Sequence, residues 1–191
     1  KEFQWRKRSI ELYRSIEDKF PFYGDLAMVF YYLGYQLLQL EQPDEAKDYF
    51  VKVLKQPVSI YTPDALYHLG EYYFARHDYA TALKIYAKVE EFPQAISYAT
   101  SLYKQGWCLY NMEEYQDSVG AFLRVIEYAR SDAAENLGYR FELIADAQQD
   151  LVRAYAEVAD PDEALRFFGK VAPKLQIELT EVLAQLLFEK S

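Results

Sequence analysis

Tyr32-Leu33-Gly34-Tyr35-Gln36-Leu37, His68-Leu69-Gly70-Glu71-Tyr72-Tyr73 and Lys104-Gln105-Gly106-Trp107-Cys108-Leu109 carry glycines at 34, 70 and 106, a spacing of 36 both times. A period in this range is the mark of stacked repeats rather than of one globular core. Around each glycine an apolar stripe recurs at helical spacing: Phe30, Leu33 and Leu37, then Leu66, Leu69 and Tyr73, then Leu102 and Leu109. Twelve residues after each glycine a small residue opens a second stripe. These stripes are Ala46 with Phe50 and Val53, Ala82 with Tyr86 and Val89, and Ser118 with Phe122 and Val125. Turn-forming residues separate the stripes, Gln42-Pro43-Asp44, His77-Asp78 and Asn111 with Glu113-Glu114. Each unit therefore reads as a helical hairpin.

Glycine and alanine at these sites have a physical purpose. Two helices approach to about 8–10 Å only where no bulky side chain intervenes. Pro57 and Pro93, each 23 residues past its glycine, stop the second helix and direct the chain into the next unit. Weaker copies follow the same offsets. Val152 stands in the glycine's place with Ala164, Phe168 and Val171 after it, and Leu183 to Phe188 repeats the pattern of Leu69 to Phe74. Ser9, Tyr13, Ile16 and Pro21 match a lone second helix.

Small and aromatic residues at these offsets, closed by a helix-ending proline, resemble the tetratricopeptide repeat. The resemblance implies an all-α fold, a right-handed superhelical solenoid of helical hairpins. It departs from the family pattern in placing Phe30, Leu66 and Leu102 where a tryptophan is usual and in its period of 36. The expected organisation is a single solenoid over 1–191: a half repeat at 1–22, repeats at 25–58, 62–94, 98–130 and 140–173, and a half repeat at 176–191. From Ser118 to Val152 is 34 residues, against 24 from Ala46 to Gly70, so an insertion lies near 130–147, either a tolerated surface loop or a docking element at one rim. A chain that opens in a second helix and closes in a first helix reads as a piece of a longer protein, or as one whose C-terminal end face supports a homodimer.

The narrower texture of residues 75–83, 102–111 and 151–168 resembles envelope repeat proteins of gliding, predatory bacteria, among them motility components and distant relatives of outer-membrane assembly lipoproteins. That resemblance implies the periplasm, with the cytoplasm as the alternative.

Composition narrows the function. The chain has 191 residues, 51% of them hydrophobic, with 19 Tyr and 12 Phe, which is too apolar for a disordered segment. No apolar run approaches the ~18 residues of a membrane span. A formal net charge of -9 argues against nucleic acid as partner and for a neutral, basic or apolar protein segment. The single cysteine, Cys108, sits beside Trp107 on an apolar helix and reads as packing. His68 and His77 have no second histidine or cysteine at metal spacing, and no phosphate loop or nucleophile motif is present. No catalytic residue, metal or other cofactor is expected.

On each first helix the positions six before, three before, one after and four after the glycine share a face. In the tetratricopeptide family this face resembles the lining of the concave groove. The partner-binding residues expected there are Tyr31 and Tyr35, then Asp64, Tyr67, Glu71 and Phe74, then Tyr103, Trp107 and Tyr110, with Arg153 in the fourth unit. The separate core stripe supplies the buried contacts, which would leave seven aromatics in this row without a packing task. The sequence thus points to a scaffold that binds a partner peptide or helix. The alternative is a structural spacer or self-association module acting through its ends.

Overall fold

The computed structural model describes residues 2–135, 137–158 and 160–189, and all the regular structure among them is helical. Contacts divide the chain into two compact units, residues 1–98 and 99–191.

Unit one holds α1 (Glu2–Lys19), α2 (Leu26–Leu38), α3 (Pro43–Leu54), α4 (Thr62–Phe74) and α5 (Tyr79–Lys88), the last continued by a 3-10 turn, Val89–Glu91. Helices α2 with α3 and α4 with α5 form hairpins, α3 packs on α4, and α1 packs on α2. Local chemistry sets the helix starts. Asp25 accepts a hydrogen bond from the Met28 amide at 3.3 Å, Asp78 accepts one from Thr81 at 3.1 Å, and Pro43 occupies the first turn of α3. The core is made by Val29, Leu33 and Leu37 of α2, Phe50 and Val53 of α3, Leu69 of α4 and Ile10 of α1.

Unit two holds α6 (Tyr98–Asn111), α7 (Tyr115–Arg130), α8 (Arg140–Ala156), α9 (Ala164–Val171) and α10 (Gln176–Glu189). Phe122, Val125 and Ile126 of α7, Leu151 and Val152 of α8, Phe168 of α9 and Leu179 of α10 are buried. Between α7 and α8 the chain makes a 3-10 turn, Asp132–Ala134, whose Ala134 is buried. Cys108 is buried on α6.

The glycines work as close-approach points. A methyl group added at Gly34 would lie 2.8 Å from the Phe50 ring, at Gly70 2.3 Å from Tyr86, and at Gly106 2.6 Å from Phe122. In each of these three hairpins the ring sixteen residues after the glycine packs against the bare backbone of the first helix. Ser118 adds a hydrogen bond from its hydroxyl to the Gly106 carbonyl at 2.9 Å. The fourth hairpin differs. Val152 holds the glycine's place, α9 is only eight residues long, and the Phe168 ring meets Tyr155 at 4.8 Å.

The first helices end alike, and not as their sequences advertise. Glu41, His77 and Glu113, spaced 36 apart, take positive φ of 59°, 60° and 64°. Behind each of them the amides of Gln42, Asp78 and Glu114 reach back to Leu37, Tyr73 and Leu109 at 2.9–3.0 Å. The amides of Glu41, His77 and Glu113 close on Leu38, Phe74 and Tyr110 at 2.9–3.0 Å. This is the Schellman closure, with a left-handed residue that is usually glycine.

Candidate protein-binding site

In unit one the segments that link one hairpin to the next carry apolar side chains outward. Pro57 follows α3, and Ser59 and Thr62 then organise the turn. The Ser59 amide donates to Thr62 Oγ1 at 2.9 Å, and the Tyr61 amide donates to Ser59 Oγ at 3.3 Å. The turn leaves Val58 and Ile60 74% and 80% exposed, and the equivalent turn after α5 leaves Ile96 80% exposed.

These segments and α2 enclose an open groove of about 1030 Å³. Tyr31, Tyr32 and Tyr35 of α2 form one wall, residues 58–61 with Pro63 and Asp64 another, and residues 92–96 the third. Asp64 is the one charged residue in this lining. Tyr31 anchors the floor, with ring centroids 6.4 Å from Tyr35, 5.3 Å from Tyr61 and 6.1 Å from His68. Burial, and then the neighbouring Asp64 carboxylate, push its phenol up to about 12. His68 stacks on Phe50 at 4.9 Å and is held below its ordinary value by burial, against the pull of Asp64 and Glu71.

Tyr31, Tyr35 and Asp64 of the expected set therefore line the groove, while Tyr67, Glu71 and Phe74 are engaged elsewhere. Tyr67 packs on Tyr86 at 6.1 Å, Phe74 meets Tyr79 edge-on at 5.2 Å, and Glu71 accepts a hydrogen bond from the buried Tyr86 hydroxyl. Val58, Ile60 and Ile96 are lining residues that the sequence reading passed over. Their signal was an isoleucine in each post-proline turn, Ile60 and Ile96, 36 residues apart.

In unit two, Tyr103, Trp107, Tyr110 and Arg153 gather beside a residue the sequence reading did not single out, the buried Asp150. Its carboxylate accepts hydrogen bonds from the Tyr103 hydroxyl and from Arg153 Nη1, the latter at 2.7 Å. Arg153 lies over the Trp107 ring at 5.6 Å. Trp107 meets Tyr110 at 5.4 Å, and Tyr110 meets Tyr115 at 5.3 Å. Desolvation raises Asp150 above the usual carboxylate range, although Tyr103, Arg153 and Trp107 oppose the shift. The Asp150 to Arg153 spacing of three on one helix was the available signal.

The expectation that seven aromatics lack a packing task is corrected. Tyr31, Tyr67 and Tyr103 each rest on the ring that fills their hairpin's glycine, at 6.2, 6.1 and 5.6 Å. Trp107 shares Phe122 with Tyr103, at 6.2 Å. Glycine at one position leaves the ring's outer edge open, and the tyrosine one turn earlier covers it. Among the described residues, no group of three His, Cys, Asp or Glu side chains is placed to hold a metal ion.

A sequence model described as "Tetratricopeptide repeat" matches residues 28–57, 64–95 and 100–130. The chain belongs to the tetratricopeptide repeat family. Each matched tetratricopeptide repeat contains one glycine and its ring, Gly34 with Phe50, Gly70 with Tyr86 and Gly106 with Phe122. Such repeats are interaction modules, which makes the chain a protein–protein interaction scaffold in the general sense. Solved structures similar to it include BtubC (BKLC) from P. vanneervenii, at 14% identity and a TM-score of 0.47, covering 96% of this chain and 85% of that one. Another is the C-terminal part of a TPR repeat-containing protein from Cytophaga hutchinsonii, at 16% identity and a TM-score of 0.36, covering 98% and 93%. No curated protein matches the chain. Among the described residues no helix is long and apolar enough to cross a membrane.

Proposed function

We propose that unit one of this tetratricopeptide repeat scaffold takes up an apolar segment of a partner protein, carrying a Lys or Arg, in the groove bounded by Tyr31, Tyr35 and the two post-proline turns. The observation that carries this reading is the exposure of Val58, Ile60 and Ile96 around a tyrosine floor. Covering each of these side chains contributes about 1.5–3 kcal/mol. Association costs at least about 4 kcal/mol in lost freedom, so no single one of them suffices and the site works through several at once. Asp64 in the lining, and Glu91 immediately before Phe92, favour a basic flank on the ligand. The resemblance to repeat proteins of gliding bacteria supports placing this scaffold in an envelope or motility complex on the periplasmic side, which cell fractionation with a tagged chain tests.

The binding experiment is a peptide selection from a displayed random library against the chain, with every selected peptide re-measured on Ile60→Asp and Ile96→Asp. The proposal expects apolar peptides with at least one basic residue, and loss of binding on both variants without loss of helical circular dichroism.

A further inference from the structure

The rings of the unit-one groove decide which form of chain fits it. Tyr31, Tyr32, Tyr35, Tyr61 and Phe92 line it, against one charged residue, Asp64. Tyr31 and Tyr35 lie close to parallel, at 6.4 Å and 22°, while Tyr32 meets Tyr31 and Tyr61 edge-on at 5.6 and 5.9 Å. The wall therefore offers flat ring faces as well as ring edges. Among the described residues, neither the Tyr31 nor the Tyr35 hydroxyl has a hydrogen-bond partner within the chain. With its phenol pushed up to about 12, Tyr31 keeps its proton through the physiological range and remains a donor.

Three forms of partner segment are possible, and they differ in what they give those phenols. A strand adds to a sheet edge, and all the regular structure among the described residues is helical. A helix satisfies its own carbonyls internally, so an apolar helix face would cover the two hydroxyls with nothing to accept from them, at a cost in binding. A polyproline II segment has no internal hydrogen bonds, and its carbonyls are free to accept. Its proline rings are flat enough to lie on tyrosine faces, where the negative face of the ring attracts the C–H groups beside the amide nitrogen. Proline also brings no N–H of its own to be buried, and its fixed φ leaves little freedom to lose on binding.

We infer that the occupant of the unit-one groove is a proline-rich segment in the polyproline II form. Its prolines lie on the Tyr31, Tyr35 and Tyr61 rings, its carbonyls accept from the Tyr31 and Tyr35 hydroxyls, and a flanking Lys or Arg meets Asp64. The inference rests on the groove reading given above and names the form of the partner segment. Val58, Ile60 and Ile96, exposed at the turns, supply the aliphatic sides.

The test is titration calorimetry on the whole chain with synthetic peptides of about ten residues, roughly 30 Å long in the polyproline II form. The probes are an oligoproline opened by arginine, the same oligoproline opened by glutamate, and a crosslinked helical leucine–alanine peptide opened by arginine. The arginine oligoproline is expected to bind at least about tenfold more tightly than the helical peptide and to lose binding on Ile60→Asp. The double variant Tyr31→Phe with Tyr35→Phe keeps both rings and is expected to bind it about tenfold more weakly, with helical circular dichroism unchanged. Changing arginine to glutamate is expected to weaken binding to the wild type but not to Asp64→Asn. A helical peptide that binds as tightly as the oligoproline, with both lost on Ile60→Asp, would overturn this inference and leave the groove reading standing. A double Tyr→Phe variant that binds the oligoproline as the wild type does would overturn it equally. Peptides of every kind that ignore both Ile60→Asp and Ile96→Asp would remove the groove reading itself, and this inference with it.

Discussion

Gly70 and Tyr86 touch so closely that a methyl group on Gly70 would stand 2.3 Å from the Tyr86 ring carbon Cε1. Tyr86 is fully buried, and its hydroxyl is bound to Glu71, so the ring has little room to give way. Gly70→Ala is therefore expected to lower stability by about 1–3 kcal/mol through overpacking, despite alanine's better helix propensity. Gly120 provides the control. It is exposed within α7 with nothing within 4 Å of a Cβ, so Gly120→Ala should raise stability by about 0.5–1 kcal/mol in the same urea titration. Equal effects at the two sites would remove the close-approach account.

Glu41 and Glu113 pay a conformational cost at the ends of α2 and α6, where their φ values are 59° and 64°. Glycine adopts this geometry freely. Glu41→Gly and Glu113→Gly are each expected to stabilise the protein by about 0.5–1 kcal/mol, net of glycine's larger unfolded-state entropy, as read from thermal unfolding. His77 is a poorer choice, since its ring nitrogen is engaged with the Tyr79 hydroxyl at 2.6 Å.

Which parts of this fold the sequence disclosed follows from where the information lies. Gly34, Gly70 and Gly106 are small because a ring must lie on them, and the rings stand in the second stripe, so spacing alone reveals both partners. The left-handed caps at Glu41, His77 and Glu113 stayed hidden because none of the three is a glycine or asparagine. The site was legible only in part. Tyr31, Tyr35 and Asp64 follow from the equivalent helical faces of α2 and α4, but Val58, Ile60 and Ile96 lie in turns without helical periodicity, where only the 36-residue recurrence of Ile60 and Ile96 after Pro57 and Pro93 marks them. Asp150 was passed over because its neighbours Leu151 and Val152 make that stretch of α8 read as core.

Asp150 gives a pH dependence whose sign is fixed. Its folded-state pKa is raised by desolvation, so the folded protein holds the proton more tightly than the unfolded chain. Its contribution therefore favours folding below the raised value and is lost as pH rises through it. In urea titrations from pH 4 to neutrality, Asp150→Asn should remove this component, so that the wild type loses stability relative to the variant as pH rises. A wild-type to variant difference that does not change with pH would contradict the assignment.

Tyr103 separates packing from binding in unit two. Its hydroxyl donates to a buried carboxylate, so Tyr103→Phe is expected to destabilise the protein by about 1–3 kcal/mol in urea unfolding while peptides selected on unit one bind unchanged. Lost peptide affinity at unchanged stability would instead make Tyr103 a contact residue.

The groove of unit one is tested most directly by the dissociation constant of a selected peptide, measured by titration calorimetry on wild type, Ile60→Asp, Ile96→Asp and Trp107→Ala. Binding through the groove predicts at least about tenfold weaker affinity for both isoleucine variants and none of that loss for Trp107→Ala in unit two. Affinity untouched by Ile60→Asp and Ile96→Asp, or abolished by Trp107→Ala alone, would contradict it.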